Sequence, residues 1–156
     1  MRSMVKTYAI LHNVRSRHNV GSIFRTADGS GVSKLYLTGY TPAPVDRFGR
    51  VDEKMAKVAL GATETVPYEK HEDIHSVIEA LKQEGIAIVA VEQTDSAIAY
   101  TEFTQTSDTA YIFGNEVAGL EQEVLDAAEM HVSIPMHGIK ESLNVSVCAG
   151  IILFRR

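Results

Sequence analysis

The sequence contains a single cysteine, no tryptophan and no long apolar run. Cys148 has no partner within the chain for a disulfide, which fits a reducing compartment such as the cytoplasm. No stretch approaches the roughly 18 consecutive apolar residues that a membrane-spanning helix needs. The basic residues near the N-terminus precede only a short apolar run without a small-residue cleavage site. We therefore expect neither a signal peptide nor a membrane segment.

Three familiar motifs of catalysis or nucleotide binding are also missing. The sequence contains no Walker A loop and no G-x-S-x-G turn of a serine hydrolase. Its nearest approach to a dinucleotide-binding loop is GSGVSK, at residues 29–34. That string follows a predicted helix and precedes a predicted strand, whereas a dinucleotide-binding loop follows a strand and opens a helix. An NAD-dependent enzyme, a P-loop enzyme and an ordinary serine hydrolase are therefore disfavoured.

One string resembles a zinc site. HEDIH, at His71–His75, matches the H-E-x-x-H pattern of zinc proteases. The same residues fit the start of a helix, because Glu72 and Asp73 in a first turn would stabilise the helix dipole. No third metal ligand is evident nearby in the sequence. We therefore expect no metal.

Charge is distributed unevenly along a chain whose formal net charge is −5. Residues 1–50 contain eight basic and two acidic residues, whereas residues 51–156 contain seven basic and eighteen acidic ones. Such asymmetry indicates a local anion-binding face. The alternative, that the charges scatter over a solvated surface after folding, stays open from the sequence alone.

Short apolar runs alternate with helical patterns along the chain, which predicts an α/β fold with a mostly parallel sheet and helices on both faces. The run IAIVAVE, residues 86–92, is continuously apolar, as expected of a strand buried on both faces. No repeat or linker interrupts the pattern, so we expect residues 1–156 to form one domain. The predicted strands span residues 8–14, 34–39, 86–92, 109–114 and 131–135, and the predicted helices span residues 19–28, 52–60, 73–84, 120–130 and 142–154.

Polar residues cluster at the predicted carboxyl edge of the sheet, where parallel α/β folds bind ligands. Taken alone, Asn19 and Ser142 could each cap a helix. Glu116 could complement a helix dipole, and Arg25 could be a surface residue in a local ion pair. Together with Asn144, however, these residues fall at one edge of the sheet, which indicates a functional site.

Three segments resemble the motifs of one family, in that family's order and spacing. They are NVGSIFRTADGSGV, IFGNEVAGL and IPMHGIKESLNVSVCAG. Over essentially its whole length the chain is similar to the SpoU (TrmH) branch of the SPOUT methyltransferases. The resemblance implies a homodimer that uses S-adenosyl-L-methionine to methylate a ribose 2′-hydroxyl of RNA, with transfer RNA expected first and ribosomal RNA second. It also implies a C-terminal trefoil knot, which the usual rules of chain connection would exclude.

The same resemblance implies roles for individual residues. The loop Ile134–Leu143 would pass through the knot and present backbone N–H and C=O groups to the cofactor. Arg25 would lie at the reacting hydroxyl. We expect it to pair with an RNA phosphate and steer the proton, because a free guanidinium keeps its own proton below about pH 12. The implied cofactor contacts are Gly114, Ile134, Met136 and Leu143. The other implied catalytic positions are Asn19 and Glu116, which would orient Arg25 or the RNA, and Ser142 and Asn144, which would shape the methyl pocket.

Recognition of RNA has to be explained separately, because many relatives carry an added RNA-binding domain or helical extensions. This chain starts close to its first predicted strand and stops after its last predicted helix. We therefore expect recognition to rest on the dimer surface or on a partner protein, with Arg15, Arg17 and His18 as candidate RNA-binding residues. Two other functions stay open: a non-catalytic RNA-binding or nucleotide-sensing relative, and a methyltransferase for a small molecule.

Overall fold

The sheet of the protein is parallel. The computed structural model describes residues 4–155, so Arg2 of the basic N-terminal segment lies outside it. The strand order of the sheet is β3-β2-β1-β6-β4-β7-β5. Every strand pairing in this range is parallel. The strands are β1 (Thr7–His12), β2 (Lys34–Thr38), β3 (Tyr68–His71), β4 (Ala87–Val91), β5 (Ile98–Ala99), β6 (Thr109–Phe113) and β7 (Met130–Ser133). The helices are α1 (Arg17–Ser30), α2 (Glu53–Ala59), α3 (Ala62–Thr65), α4 (Ile74–Gln83), α5 (Gln122–Ala127) and α6 (Val145–Phe154), with a 3₁₀ turn at Tyr100–Glu102.

Helices cover both faces of this sheet, which confirms the predicted α/β architecture. Along β1, Ala9 and Leu11 belong to one hydrophobic core and Ile10 to the other, and all three are fully buried. The first core includes residues of α1, α2, α3 and α6, and the second includes residues of α4 and α5. Because the central strands are covered on two sides, their sequences are continuously apolar rather than alternating.

The last helix begins later than the sequence predicts. Asn144 is its N-cap, and the Asn144 side-chain oxygen accepts a hydrogen bond from the Ser146 N–H at 2.9 Å. The predicted start at Ser142 is wrong, because the residue that satisfies the first free N–H groups of the helix lies two positions further on. α6 has ten residues, and no helix within residues 4–155 is long and apolar enough to cross a bilayer.

The helix predicted over residues 120–130 is shortened to α5, and Met130 begins β7 instead. Glu129 accounts for the difference. Its N–H donates to the Ile88 carbonyl at 3.0 Å, and its carboxylate accepts the Ile88 N–H at 2.6 Å. This double contact draws the chain into the sheet beside β4. The sequence does not predict the short elements α3 and β5, which are too brief for a periodic pattern.

The C-terminal part of the chain lies in the middle of the sheet rather than along one edge. β6 is inserted between β1 and β4, and β7 between β4 and β5. Residues 134–143, the loop that the family resemblance threads through a knot, follow β7 directly. The knot itself stays a prediction, because the strand order defines neighbours in the sheet and not the threading of loops.

A glycine allows α1 and α2 to approach each other closely. A Cβ atom at Gly21 would lie 2.7 Å from the Met55 carbonyl oxygen and 3.1 Å from the Cβ of Val58. A side chain at this position would therefore collide with the backbone of α2. The contact holds α2, and the loop that precedes it, against the helix that carries Asn19.

Gly21→Ala is expected to destabilise the protein by about 1–3 kcal/mol, because the two helices must separate to admit the methyl group. This cost outweighs the gain of up to about 1 kcal/mol that alanine has over glycine inside a helix. Gly29→Ala is the matched control in the same helix, since its added Cβ would meet only the ring end of Phe154, at 3.2 Å. Equal free energies of unfolding in urea for the two variants would contradict the importance of the contact.

Candidate active site

A cavity opens over the carboxyl ends of β4, β6 and β7. Its volume is about 710 Å³, including the part that is open to solvent. The predicted cofactor residues Gly114, Ile134, Met136 and Leu143 all line it. The structure therefore brings together the loop after β6 and the loop after β7, as the family resemblance implies. The other lining side chains include Val91, Phe113, Val145 and Cys148, which are apolar or weakly polar, and Glu92, Gln93, Asn115, Glu116 and Ser142, which are polar.

The carboxylate of Glu116 joins the loop after β6 to the start of α1. It accepts hydrogen bonds from the backbone N–H groups of Arg15 and Ser16 at 3.2 and 3.1 Å, and from the Asn19 side-chain amide at 3.3 Å. Ser16 is the N-cap of α1, so these donors lie at the positive end of the helix dipole. Glu116 does complement a dipole, but it is the dipole of α1, more than 85 residues before it in the sequence.

This environment lowers the pKa of Glu116 below its ordinary value of 4.5. Burial is the largest single influence, and alone it would raise the pKa. The hydrogen bonds from backbone N–H groups and from Asn19 together outweigh burial, because each of them favours the ionised carboxylate. Glu116 is therefore a fixed negative charge at neutral pH.

Asn19 extends this network to α6. The Asn19 side chain is buried, and its Oδ1 accepts a hydrogen bond from Nδ2 of Asn144 at 3.2 Å. The two residues are 125 positions apart, and Asn19 and Glu116 are 97 apart. Ser16, and not Asn19, caps α1, so the structure frees the Asn19 side chain for this bridge. We refer to Glu116, Asn19 and Asn144 as the amide–carboxylate network.

Arg25 lies apart from that network. It follows Asn19 by six residues on α1, which is about 9 Å along the helix axis at a rise of about 1.5 Å per residue. Its side chain is exposed, makes no hydrogen bond or ion pair with residues 4–155, and does not line the cavity. The local ion pair that the sequence allows is thus absent from the described chain. A free guanidinium at this position is available to another molecule.

Glu92 and Gln93 belong to the site, although the sequence motifs do not include them. Glu92 follows β4, and its carboxylate accepts the Gln93 N–H and the Leu120 N–H, both at 3.1 Å. Gly119 has a φ of +68°, a backbone conformation that favours glycine, and a Cβ there would also displace the Glu92 carboxylate. The Gln93 amide donates to the Glu141 carbonyl at 2.7 Å. The position of both residues, directly after a buried strand, is the signal that could have identified them.

Cys148 lines the same cavity from α6. Burial, and to a smaller extent the charge of Glu92, raises the pKa of the Cys148 thiol to about 11. The thiol is therefore protonated at neutral pH and acts as a small apolar wall rather than as a nucleophile.

The three candidate RNA-binding residues lie exposed at the start of α1, beside the donors of Glu116. Arg17 is partly neutralised, since its Nε lies 2.6 Å from Oδ2 of Asp52. The side chains of Arg15 and His18 form no hydrogen bond or ion pair within the described chain. Arg15 and His18 are thus the free members of the set.

The HEDIH string falls at the junction of β3 and α4. His71 ends the strand, and His75 lies in the first turn of the helix after the N-cap Asp73. The metal-binding pattern of zinc proteases requires both histidines on one helix. His71 and His75 do not meet this requirement.

The fold and the cavity define the class of the protein. A parallel sheet with a partly apolar cleft and a few convergent polar groups over its carboxyl edge is typical of an α/β protein that binds a ligand there. The chain belongs to the SpoU rRNA Methylase family, whose sequence model matches residues 6–154. This match confirms the resemblance that the three sequence motifs indicate.

Three similar proteins illustrate the relationship. The 23S rRNA (guanosine-2'-O-)-methyltransferase RlmB of Neisseria meningitidis serogroup B is 35% identical over 92% of this chain, which spans 55% of that enzyme. The AdoMet-bound rRNA methyltransferase from Sinorhizobium meliloti has a TM-score of 0.86 and 29% identity over 96% of this chain and 54% of its own. The third is a structure reported for the 2-OH methylation of C/U34 on tRNA, with a TM-score of 0.78 and 25% identity. The match covers 95% of this chain and 91% of that one. The chain thus spans little more than half the length of several relatives.

Glu116→Gln is expected to lower the free energy of unfolding at neutral pH by about 1–3 kcal/mol, because a charged acceptor of several N–H groups is lost. The folded-state pKa of Glu116 lies below the unfolded value, so its stabilising contribution is complete above about pH 4.5. That contribution disappears as the pH falls through the folded-state pKa. The difference between parent and variant should therefore narrow in acid, as measured by urea unfolding across a pH series.

The control for this series is Glu102→Gln. Glu102 is exposed and makes no hydrogen bond or ion pair with residues 4–155. Its replacement should change the stability little at any pH. A difference between the parent protein and Glu116→Gln that stays constant from neutral pH into acid would show that the carboxylate charge is not what matters.

Proposed function

We propose that the protein is an S-adenosyl-L-methionine-dependent RNA methyltransferase that acts on a ribose 2′-hydroxyl. The observation that supports the proposal most strongly is that the amide–carboxylate network adjoins the cavity formed by the loops after β6 and β7. Glu116 belongs to both, since it lines the cavity and holds the start of α1. The names of the relatives support the same activity, because they describe a 2'-O-methyltransferase and an AdoMet-bound enzyme.

The residues around the cavity suit the cofactor. Ile134, Met136 and Leu143 offer apolar walls of the kind that enclose a planar ring. Glu92 adds a carboxylate, which favours a ligand that carries positive charge. When bound, S-adenosyl-L-methionine supplies a methyl group that is already activated by a sulfonium centre.

The chain's own residues would then position the substrate and manage the proton. The amide–carboxylate network fixes Asn144 and the start of α1 relative to the cavity, and accurate positioning can contribute as much as about 7–11 kcal/mol to catalysis. Arg25 offers a planar fork that matches a phosphate of the RNA. Its positive charge beside the 2′-hydroxyl would favour the loss of the hydroxyl proton. Ser142 would shape the space in which the methyl group is transferred.

Transfer RNA is the substrate that we propose first, and ribosomal RNA second. Among the similar proteins above, the one that the chain covers almost completely is described by methylation of transfer RNA. We also propose that residues 1–156 act as one domain, because the similarity extends over 91% of that protein's chain, and that the protein acts in the cytoplasm. Arg15, Arg17 and His18 would contact the RNA backbone.

A homodimer would complete the site. α6 is apolar on nearly every side, a pattern typical of a helix that is buried all round, yet Val147 and Phe154 are 50% and 59% exposed. A second copy packed on this face would remove that apolar surface from water. It would also approach α1, because the Phe154 ring lies where a Cβ atom at Gly29 of α1 would come within 3.2 Å of it. Arg25 lies one turn before Gly29, so the same interface would bring Arg25 of one copy towards the cavity of the other.

The proposed activity is tested by separating cofactor binding from methyl transfer. Isothermal titration should show saturable binding of S-adenosyl-L-methionine and none of NAD. Arg25→Ala should bind the cofactor like the parent protein, because Arg25 does not line the cavity, and should lose at least about 100-fold in transfer of labelled methyl to an RNA pool. Arg25→Lys should recover little of this activity, since an ammonium group cannot reproduce the planar bidentate contact.

Three results would contradict the proposal. Near-parental turnover of Arg25→Ala would remove the arginine from the reaction. Cofactor binding by the parent protein without transfer to any RNA would favour the non-catalytic sensing or RNA-binding function, and transfer to a small nucleoside alone would favour the small-molecule enzyme.

Val147→Glu is expected to convert the dimer into a folded monomer, as measured by sedimentation velocity. Val147 is the third residue of α6, where an acidic side chain is favourable to the helix dipole and should not unfold the chain. Leu60→Ala is the control, because Leu60 is 67% exposed but lies at the end of α2. A parent protein that sediments as a monomer, or a variant that remains dimeric, would exclude α6 as the interface.

A further inference from the structure

The loop between β2 and α2 contains a short hairpin at residues 45–51, which we call the Phe48 hairpin. Val45 and Val51 form an antiparallel bridge at its base. At its tip, the Asp46 carboxylate accepts the N–H groups of Phe48 and Arg50 at 2.8 and 3.0 Å and the Nε of Arg50 at 2.8 Å. These hydrogen bonds, led by the one from the Arg50 backbone, lower the pKa of Asp46. The hairpin is therefore a defined structure and not an irregular loop.

The tip of the hairpin presents an exposed aromatic ring close to two cations. Phe48 is 68% exposed, and the guanidinium carbons of Arg47 and Arg50 lie 4.8 and 5.1 Å from its ring centroid. A single exposed apolar residue is ordinary on a protein surface. A ring stacked with guanidinium groups is different, because aromatic rings and guanidinium planes are the two surfaces on which unpaired bases stack.

The two arginines of this group are not equivalent. Arg50 is held by Asp46, with a distance of 2.8 Å between Nε and Oδ2. Arg47 forms no hydrogen bond or ion pair with residues 4–155. Arg47 can therefore pair with a phosphate while Arg50 keeps the ring and the hairpin in place.

The hairpin is fixed to the same edge of the molecule as the candidate active site. It leads directly into Asp52, which caps α2 and holds Arg17 of α1 through an ion pair of 2.6 Å. Earlier in the same loop, the Tyr40 hydroxyl accepts a hydrogen bond from Asn115, a residue that lines the cavity, at 3.0 Å. β2 lies two strands from β6, or about 10 Å across the sheet. The loop that leaves β2 and the cavity therefore lie at the same edge of the parallel sheet.

Charge at this surface favours a polyanion. Residues 15–18 and 45–57, which the Arg17–Asp52 pair and the Gly21–Met55 contact bring together, contain six basic and three acidic residues in a chain of net charge −5. Two of the three acidic side chains, Asp46 and Asp52, are engaged with arginines. The cations at this surface outnumber the anions, as expected of an electrostatic footprint for RNA.

We infer that the Phe48 hairpin is a second RNA-binding element, on which an unpaired base of the substrate stacks while Arg47 contacts the adjoining phosphate. The inference rests on the proposed function insofar as RNA is the substrate. It adds a stacking site outside the cavity, and it explains how a chain of this size holds RNA with few basic residues.

The test is fluorescence anisotropy of a labelled single-stranded oligoribonucleotide and of a transfer RNA pool, with three substitutions at one position. Phe48→Ala and Phe48→Leu should both weaken RNA binding by roughly 5- to 100-fold, the effect of losing one stacked base, although leucine keeps the apolar bulk. Phe48→Trp should bind like the parent protein. Arg47→Ala should reduce the slope of log affinity against log salt by about one. Leu60→Ala, at the opposite end of α2, should leave RNA affinity unchanged.

The possible failures are distinguishable. RNA affinity that is unchanged in Phe48→Ala would overturn the hairpin while leaving the proposed methyl transfer intact. If Phe48→Ala loses RNA affinity but Phe48→Leu keeps it, the stacking role of the hairpin would also be overturned. An apolar docking contact for another protein would then explain the exposed ring. If the parent protein binds no RNA, both the role of the hairpin and the RNA substrate are contradicted. Titration with S-adenosyl-L-methionine still tests cofactor binding separately. All Phe48 variants should show parental unfolding midpoints and cofactor affinity, because the ring is exposed and does not line the cavity.

Discussion

The arrangement of the candidate site depends on one carboxylate, that of Glu116. It accepts hydrogen bonds from the backbone directly before α1 and from the Asn19 side chain, and Asn19 in turn holds Asn144 at the start of α6. Partly buried polar groups are costly when they are unpaired and rigid when they are all satisfied. No buried side-chain nitrogen or oxygen within residues 4–155 lacks a hydrogen-bond partner. The three segments are therefore fixed relative to each other although they are distant in sequence.

This carboxylate can reach α1 only because of the order of the strands. β6 lies between β1 and β4, so the loop that leaves β6 comes out beside the loop that leaves β1. The same order places the end of β4, with Glu92, on the other side of the cavity. Glu92 holds the backbone of the Glu116 loop through the Leu120 N–H. Two carboxylates from different strands thus hold one loop from both sides, which explains why the cavity can be lined by backbone and apolar side chains without losing its shape.

The sequence predicts the layers of the fold well and their connections poorly. Continuous apolar strands such as residues 86–92 and the amphipathic helix α4 are determined by local periodicity. The boundaries fail where a distant partner decides them, as at Glu129, whose bonds to Ile88 replace a helical turn by a strand. The site follows the same division. Motif spacing identifies Gly114, Ile134 and their neighbours. Only its position after a buried strand points to Glu92, and no local pattern marks the Phe48 hairpin, because its role arises from contacts across the sheet.

The polar groups of the site divide into those that hold the cavity and those that are available to RNA. The groups that hold the cavity are paired with each other, while the groups suited to RNA, namely Arg25, Arg15 and Arg47, are unpaired within the described residues. This division has a physical reason, because cations that already have partners would have to lose them before a phosphate could bind. In an acidic chain with few unpaired cations, each cation contributes most to RNA affinity if it lies on a fixed element near the substrate. α6, which packs against the helix that carries Arg25, exposes Val147 and Phe154, so the proposed assembly of two copies on that face would also complete the site.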